Sequence, residues 1–160
     1  MNIQDFDFNN PPIDPSDLAM KLVSKMKEMN AIGLSGCQAG YPYNVFAIEA
    51  EPIFVCFNAR VVQPSEELIL LEETDVDYPG IIVKVSRPKH IRCRFVGPDG
   101  DTYTKTFTGM SARIFQQQLD ICKGKTIFES VSPLKLKMAL NKAKKLGFNY
   151  DISKLRGFAA

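Results

Sequence analysis

The sequence predicts an α+β fold with strands through the middle of the chain and helices at its ends. Three observations carry this. Residues near 15–29 place apolar side chains at helical spacing. Short β-rich runs broken by Pro, Gly and Asp fill Asn44 to Phe107. Two segments after residue 110 are each closed by a glycine.

Taken in order, residues 1–13 form an extended arm, because Asn10-Pro11-Pro12 excludes helix. A helix opens at Asp14-Pro15, with Asp14 as N-cap and Pro15 in the first turn. Its buried stripe is Leu18, Leu22, Val23, Met26 and Met29, and Asn30 ends it. The Gly-rich AIGLSGCQAG (31–40) follows. NVFAIEA and PIFVCFN then read as a hairpin around a Glu-Pro break. ARVVQ and EELILLEET are separated by Pro64-Ser65. IIVKVS, KHIRCRFV and TYTKTF complete the strands, with a tight turn at Pro98-Asp99-Gly100 between the last two. In KHIRCRFV, Ile91, Cys93 and Phe95 alternate with His90, Arg92 and Arg94, the pattern of a one-sided strand. Residues 110–123 lack Gly and Pro and read as helix, with Gly124 at its C′ position. A last helix runs from Ser132-Pro133 to Gly147. No repeat, linker or low-complexity stretch interrupts this layout.

Composition narrows the function classes. The 160 residues suit a single domain over 1–160, with a tail at 148–160. Hydrophobic residues at 45% and charged residues at 24% exclude wholesale disorder. A net charge of +2 demands neither nucleic acid nor an acidic membrane. His90 is the one histidine, so no site built on two imidazoles of this chain exists. The four cysteines, Cys37, Cys56, Cys93 and Cys122, form no CxxC pair and read as reduced thiols of a cytoplasmic protein. The acidic, polar MNIQDFDFNNPP is neither a signal nor a transit peptide. No apolar run approaches the ~20 residues of a membrane span.

Three segments, in order and spacing, resemble peptide deformylase: AIGLSGCQAG (31–40), EETDVDYPG (72–80) and ARIFQQQLDICKG (112–124). The family's corresponding marks are GxGLxxxQ, EGCLS and QHExDH. The opening FDFNNPPIDPSDLA and the short tail look most like the compact deformylases of bacteriophages, which would place the chain in a host cytoplasm. The resemblance implies antiparallel sheets packed around a central helix at about 110–123. It also implies a Cys and two His holding iron or zinc, a Glu moving the proton, and a Gln meeting the oxyanion. Carried over by position, the Cys falls on Asp75, the first His on Gln117, the Glu on Gln118 and the second His on Ile121. The oxyanion Gln survives as Gln38. The same carry-over assigns Ile32, Gly33, Val76 and Ile114 to the pocket. Gly33, Leu34, Pro79-Gly80, Arg87-Pro88, Ala112-Arg113, Asp120 and Gly124 keep the family residue, whereas its first segment glycine is Ala31.

Every position that carries the metal or the proton has changed while the backbone-shaping positions stay. Two functions therefore stand open. One is a peptide- or nascent-chain-binding module without deformylase activity and without a cofactor. The other is an active deformylase or hydrolase, either with an unorthodox metal site or acting on formyl-peptides with help from a partner. Each feature also has a plainer reading. Ile121 suits repacking of the old metal void. Asp75 with Asp77 or Asp120 would make an all-oxygen magnesium or calcium site, yet scattered aspartates are more often solvated. Cys37 and Cys122 read as inert thiols, since the only imidazole base is His90 on a strand's polar face. Glu73 and Arg87 read as a structural ion pair. The lysines of the last helix, with Lys154 and Arg156, read as a solvated face, with ribosome contact the alternative that the resemblance supplies.

Overall fold

In a computed structural model, which describes residues 1–151, Asp14 opens the first helix as its chemistry requires. Its carboxylate accepts from the Ser16 and Asp17 N–H groups at 2.8 and 3.2 Å, and Pro15 fills a first-turn position that needs no N–H. Helix α1 (Pro15–Glu28) buries Leu18, Leu22 and Met26 completely. The expected stripe is shorter than its spacing suggested: Val23 is half-buried and Met29 is exposed. The helix stops at Glu28, and Asn30 adopts a left-handed φ of 52° that turns the chain away.

The strands are β1 (Gly33–Ser35), β2 (Val45–Ile48), β3 (Phe54–Pro64), β4 (Leu68–Glu73), β5 (Val83–Pro88), β6 (His90–Val96) and β7 (Thr102–Thr108). Helices α2 (Gly109–Cys122) and α3 (Pro133–Lys145) follow, with 3-10 turns at Gly36–Ala39 and Ile127–Ser130. The α+β expectation holds, with two corrections of detail. PIFVCFN and ARVVQ form one strand, β3, bent by register shifts between Phe57 and Arg60 and between Val61 and Gln63. The Gly-rich segment contains a short strand and a 3-10 turn.

The chain divides into two compact units. The first comprises Met1–Leu68 and Pro88–Gly124 and holds the five-stranded antiparallel sheet, ordered β1-β2-β3-β6-β7, with α1 and α2. Helix α2 packs on this sheet through Phe115, whose ring meets Phe46 edge-on at 5.1 Å and Phe107 at 5.7 Å. Phe46, Phe57 and Phe115 are fully buried, each contributing about 1.5–3 kcal/mol relative to exposure. The alternation read in β6 is realised: Ile91, Cys93 and Phe95 face the core. The N-terminal arm is docked rather than loose. Gln4 N–H donates to Pro42 O, and Phe6 is buried against Phe8, Tyr43 and Phe57. Asn58, at φ 51°, accepts from Phe6 N–H at 2.8 Å and donates to Phe6 O at 3.0 Å, so the bend in β3 holds the arm.

The second unit comprises Ile69–Arg87 and the chain from Lys125. Strands β4 and β5 pair as a two-stranded sheet. Val83 and Val85 of β5 join Ile127, Phe128, Leu136, Leu140 and Ala143 in a separate core. Ser132 caps α3 by accepting from Lys135 N–H, and Gly147 follows its end at φ 93°, as expected. Most of the expected 148–160 tail, including Lys154 and Arg156, lies outside the described residues. Among the described residues no helix is long and apolar enough to cross a membrane.

Arg87 and Glu73 form a buried, two-pronged pair in this unit, with Nε–Oε2 at 2.5 Å and Nη2–Oε1 at 2.9 Å. Lys89 and Glu67 make a single exposed contact at 3.5 Å. Removing one member of a buried pair leaves a desolvated charge, whereas water replaces an exposed partner. Glu73→Ala is therefore expected to destabilise by about 3–5 kcal/mol and Glu67→Ala by about 0–1 kcal/mol in urea unfolding. Equal losses for the two variants would contradict the structural role given to the buried pair.

Candidate functional site

In the first unit, β1 lies directly against α2. A Cβ at Gly33 would sit 2.8 Å from both Ile114 Cγ2 and Gln118 Nε2, so a side chain there would force those side chains to shift. This approach brings together three sequence-predicted residues: Gly33, Ile114 and Gln118. Ile32, immediately before β1, is 54% exposed.

The 3-10 turn after β1 is closed by Gln38. Its Oε1 accepts from Ser35 N–H at 3.0 Å and from Ser35 Oγ at 3.1 Å. A backbone N–H can only donate, so this bond fixes which end of the amide is oxygen. The Nε2 end, with its two donors, points the other way. Ser35 is fully buried and was not singled out from sequence. Its signal was present: Ser-x-x-Gln is a capping-box spacing in which the glutamine reaches back to the N-cap N–H.

The run Gln116-Gln117-Gln118 turns about 100° per residue, so each amide meets different surroundings. All three are buried. Gln116 Nε2 donates to Ala112 O and Pro88 O, both at 3.0 Å, which anchors the helix. Gln117 shares a helix face with half-buried Ile121 one turn on. Gln118 is 5% exposed, and its Oε1 is buried with no hydrogen-bond partner among the described residues. A buried acceptor without a donor is costly and marks a place where a water or ligand N–H or O–H is wanted.

Asp75 and Val76 belong to the second unit, after β4. Asp75 is 6% exposed. Its Oδ1 accepts from Asp77 N–H at 2.9 Å and its carbonyl from Tyr78 N–H, so the carboxylate organises its own turn. Val76 is half-buried and Asp77 exposed. Taken one by one, the positions expected to ligate metal offer a carboxylate at Asp75, a neutral amide at Gln117 and no donor atom at Ile121. Among the described residues, no three His, Cys, Asp or Glu side chains converge as a metal-holding group.

The cysteines are all free. Burial pushes the Cys122 thiol up to about 12 and the Cys93 thiol up to about 11, and it raises Cys56 as well. Cys122 donates to Val45 O at 3.6 Å. Cys37 is half-buried, its sulfur 3.3 Å from Ser35 Oγ. His90 begins β6 opposite Thr108, and its N–H donates to Ser65 Oγ at 3.1 Å.

The polypeptide deformylase family model matches residues 2–137. The chain belongs to the polypeptide deformylase family. The peptide deformylase of Novosphingobium aromaticivorans is 28% identical, over 84% of this chain and 88% of that protein. Solved structures share the fold. Arabidopsis thaliana peptide deformylase 1B with an inhibitor aligns at a TM-score of 0.80, covering 91% of this chain and 83% of that one at 20% identity. A Met-Ala-Ser-bound class I type b deformylase of Acinetobacter baumannii aligns at 0.76, covering 82% and 90% at 21% identity.

The thiolate is the form that reacts with thiol reagents, so the raised cysteines are silent in the folded protein. At pH 8, Ellman's reagent is expected to modify Cys37 alone in native protein and all four thiols in guanidinium. Rapid native modification of Cys56, Cys93 or Cys122 would show that the core around α2 is open.

Proposed function

We propose that this member keeps the deformylase scaffold as a peptide-binding module and has given up metal-dependent removal of formyl groups from N-formylmethionyl peptides. The observation that carries the reading is Gln118. The sequence resemblance assigns it the position of the family's proton-moving glutamate, yet an amide neither takes nor returns a proton, and general-base help is worth roughly 10²–10⁴-fold. The donors carried over to the metal positions do not fit an iron or zinc centre. Ile121 has no donor atom, Gln117 offers a weak neutral oxygen, and Asp75 already holds the Asp77 N–H. Binding is supported by the partnerless Oε1 of Gln118, whose Nε2 and Cγ lie against Gly33, and by the fixed orientation of the Gln38 oxygen. The Met-Ala-Ser peptide held by the Acinetobacter structure supports a nascent-chain N-terminus as the class of ligand.

A second reading is an active hydrolase with an unorthodox metal site, favoured by the activity in the names of relatives such as the Novosphingobium protein. The opening segment supports a compact, bacteriophage-type member working in a host cytoplasm. The α3 lysines are solvent-exposed and are not read as a ribosome or nucleic-acid contact.

Two experiments separate the readings. Purified protein is expected to carry no stoichiometric iron, zinc or nickel and to release no formate from formyl-Met-Ala-Ser, even with added iron or nickel. Turnover that disappears in Asp75→Ala would establish the second reading instead.

The combined substitutions Asp75→Cys, Gln117→His, Gln118→Glu and Ile121→His rebuild the family's ligand set and base. Metal binding is expected to return before turnover, because ligation tolerates more positional error than proton transfer. Gln38, which the resemblance assigns to the oxyanion, would supply a contact of the kind worth about 2.7–4 kcal/mol. A folded quadruple variant that takes up no metal under anaerobic, metal-replete conditions would show that the pocket has been rebuilt, against the retained-scaffold reading.

A further inference from the structure

The second unit carries a groove of about 300 Å³ between β5 and α3. Its floor is Val83 and Ala139, both buried, and its walls are Ile82 and Met138, 50% and 55% exposed. Leaving such aliphatic walls in water forfeits the gain that burial would bring, so they are disposed to take a cover.

The rim is cationic. Lys84, Lys135 and Lys142 surround the groove, against one carboxylate, Glu72. None of these three lysines has an ion-pair partner among the described residues. The sequence of α3 explains the excess, since PLKLKMALNKAKK contains five lysines and no acidic residue.

We propose that this groove docks a short acidic protein segment, one that seats a bulky apolar side chain between Ile82 and Met138 and sets Asp or Glu against the three lysines. Charge complementarity selects an anionic occupant. The lining then decides among anions. It contains no aromatic side chain for bases to stack on and no arginine fork for phosphate, which disfavours single-stranded nucleic acid. It is also concave, which suits an inserted side chain better than a flat bilayer surface. An apolar anchor ringed by carboxylates meets both the aliphatic walls and the cationic rim.

Full-length ¹⁵N-labelled protein is titrated with a twelve-residue peptide of Asp and Glu around a central Leu-Phe pair. Parallel titrations use the same peptide with lysine for every acid, oligouridylate of equal length, and phosphatidylserine vesicles. The acidic peptide is expected to move the amide signals of Ile82, Lys84, Lys135, Met138 and Lys142 saturably, and more weakly as salt is raised. Lys135→Glu combined with Lys142→Glu is expected to weaken binding by at least about tenfold. Met138→Ser should weaken it while leaving the salt dependence in place, since it removes the wall and not the charge. These side chains are exposed, so the variants are expected to unfold at the wild-type urea midpoint. The proposal is overturned if the acidic peptide leaves those signals unmoved, or if the oligonucleotide or the vesicles bind as tightly as it does.

Discussion

The close approach of β1 to α2 at Gly33 is the constraint on which the first unit depends. A strand normally holds its neighbours away by the width of its side chains. With only hydrogen at Gly33, the strand backbone rests on Ile114 and Gln118, and any Cβ would collide with both. That contact sets the depth of the helix over the sheet and lets Phe115 reach Phe46 and Phe107. Two residues further along, Ser35 begins the turn that clamps Gln38 by its oxygen. Gly33 thus leaves room for the Gln118 amide, and Ser35 holds the Gln38 amide.

Because that geometry comes from packing and backbone bonds, it does not depend on charge or metal ligation at positions 117, 118 and 121. This is the physical sense in which a scaffold can outlive its chemistry. On the proposed reading, glutamine and isoleucine in place of ionisable and metal-ligating groups would remove proton transfer and ligation while keeping buried amides at Gln117 and Gln118. Gln118 keeps the length of a glutamate, so it fills the same space beside Gly33. What it lacks is charge, and with it any ability to drive a proton on or off a reacting group.

Much of the fold was legible because its signals are local. Asp14-Pro15, Ser132-Pro133, Gly124 and Gly147 mark helix ends through their own backbone chemistry. The alternation in β6 reports its one buried face. Other features depend on distant partners and were not legible. Asn58 bends β3 because its amide holds Phe6, 52 residues away, and nothing near it in sequence shows that. Met29 fits the periodicity of α1 but falls beyond its last turn. The three-residue β1 is too short for a pattern and exists through its pairing with β2. Around β1 and α2, Gln38 and Gln118 were singled out through the family resemblance alone. Ser35 was missed although its capping-box spacing was there to read. The division into two units leaves no mark in composition, since each is assembled from two separate stretches of chain.

Whether recognition is kept while catalysis is lost is decided by calorimetric titration of formyl-Met-Ala-Ser into protein held in excess EDTA. Saturable one-to-one binding is expected, with the peptide recovered fully formylated, and binding weakened by Gln118→Leu, which removes the buried acceptor at nearly constant volume. Absence of binding by the chelated protein, or a requirement for divalent metal before any binding is seen, would contradict the proposed function.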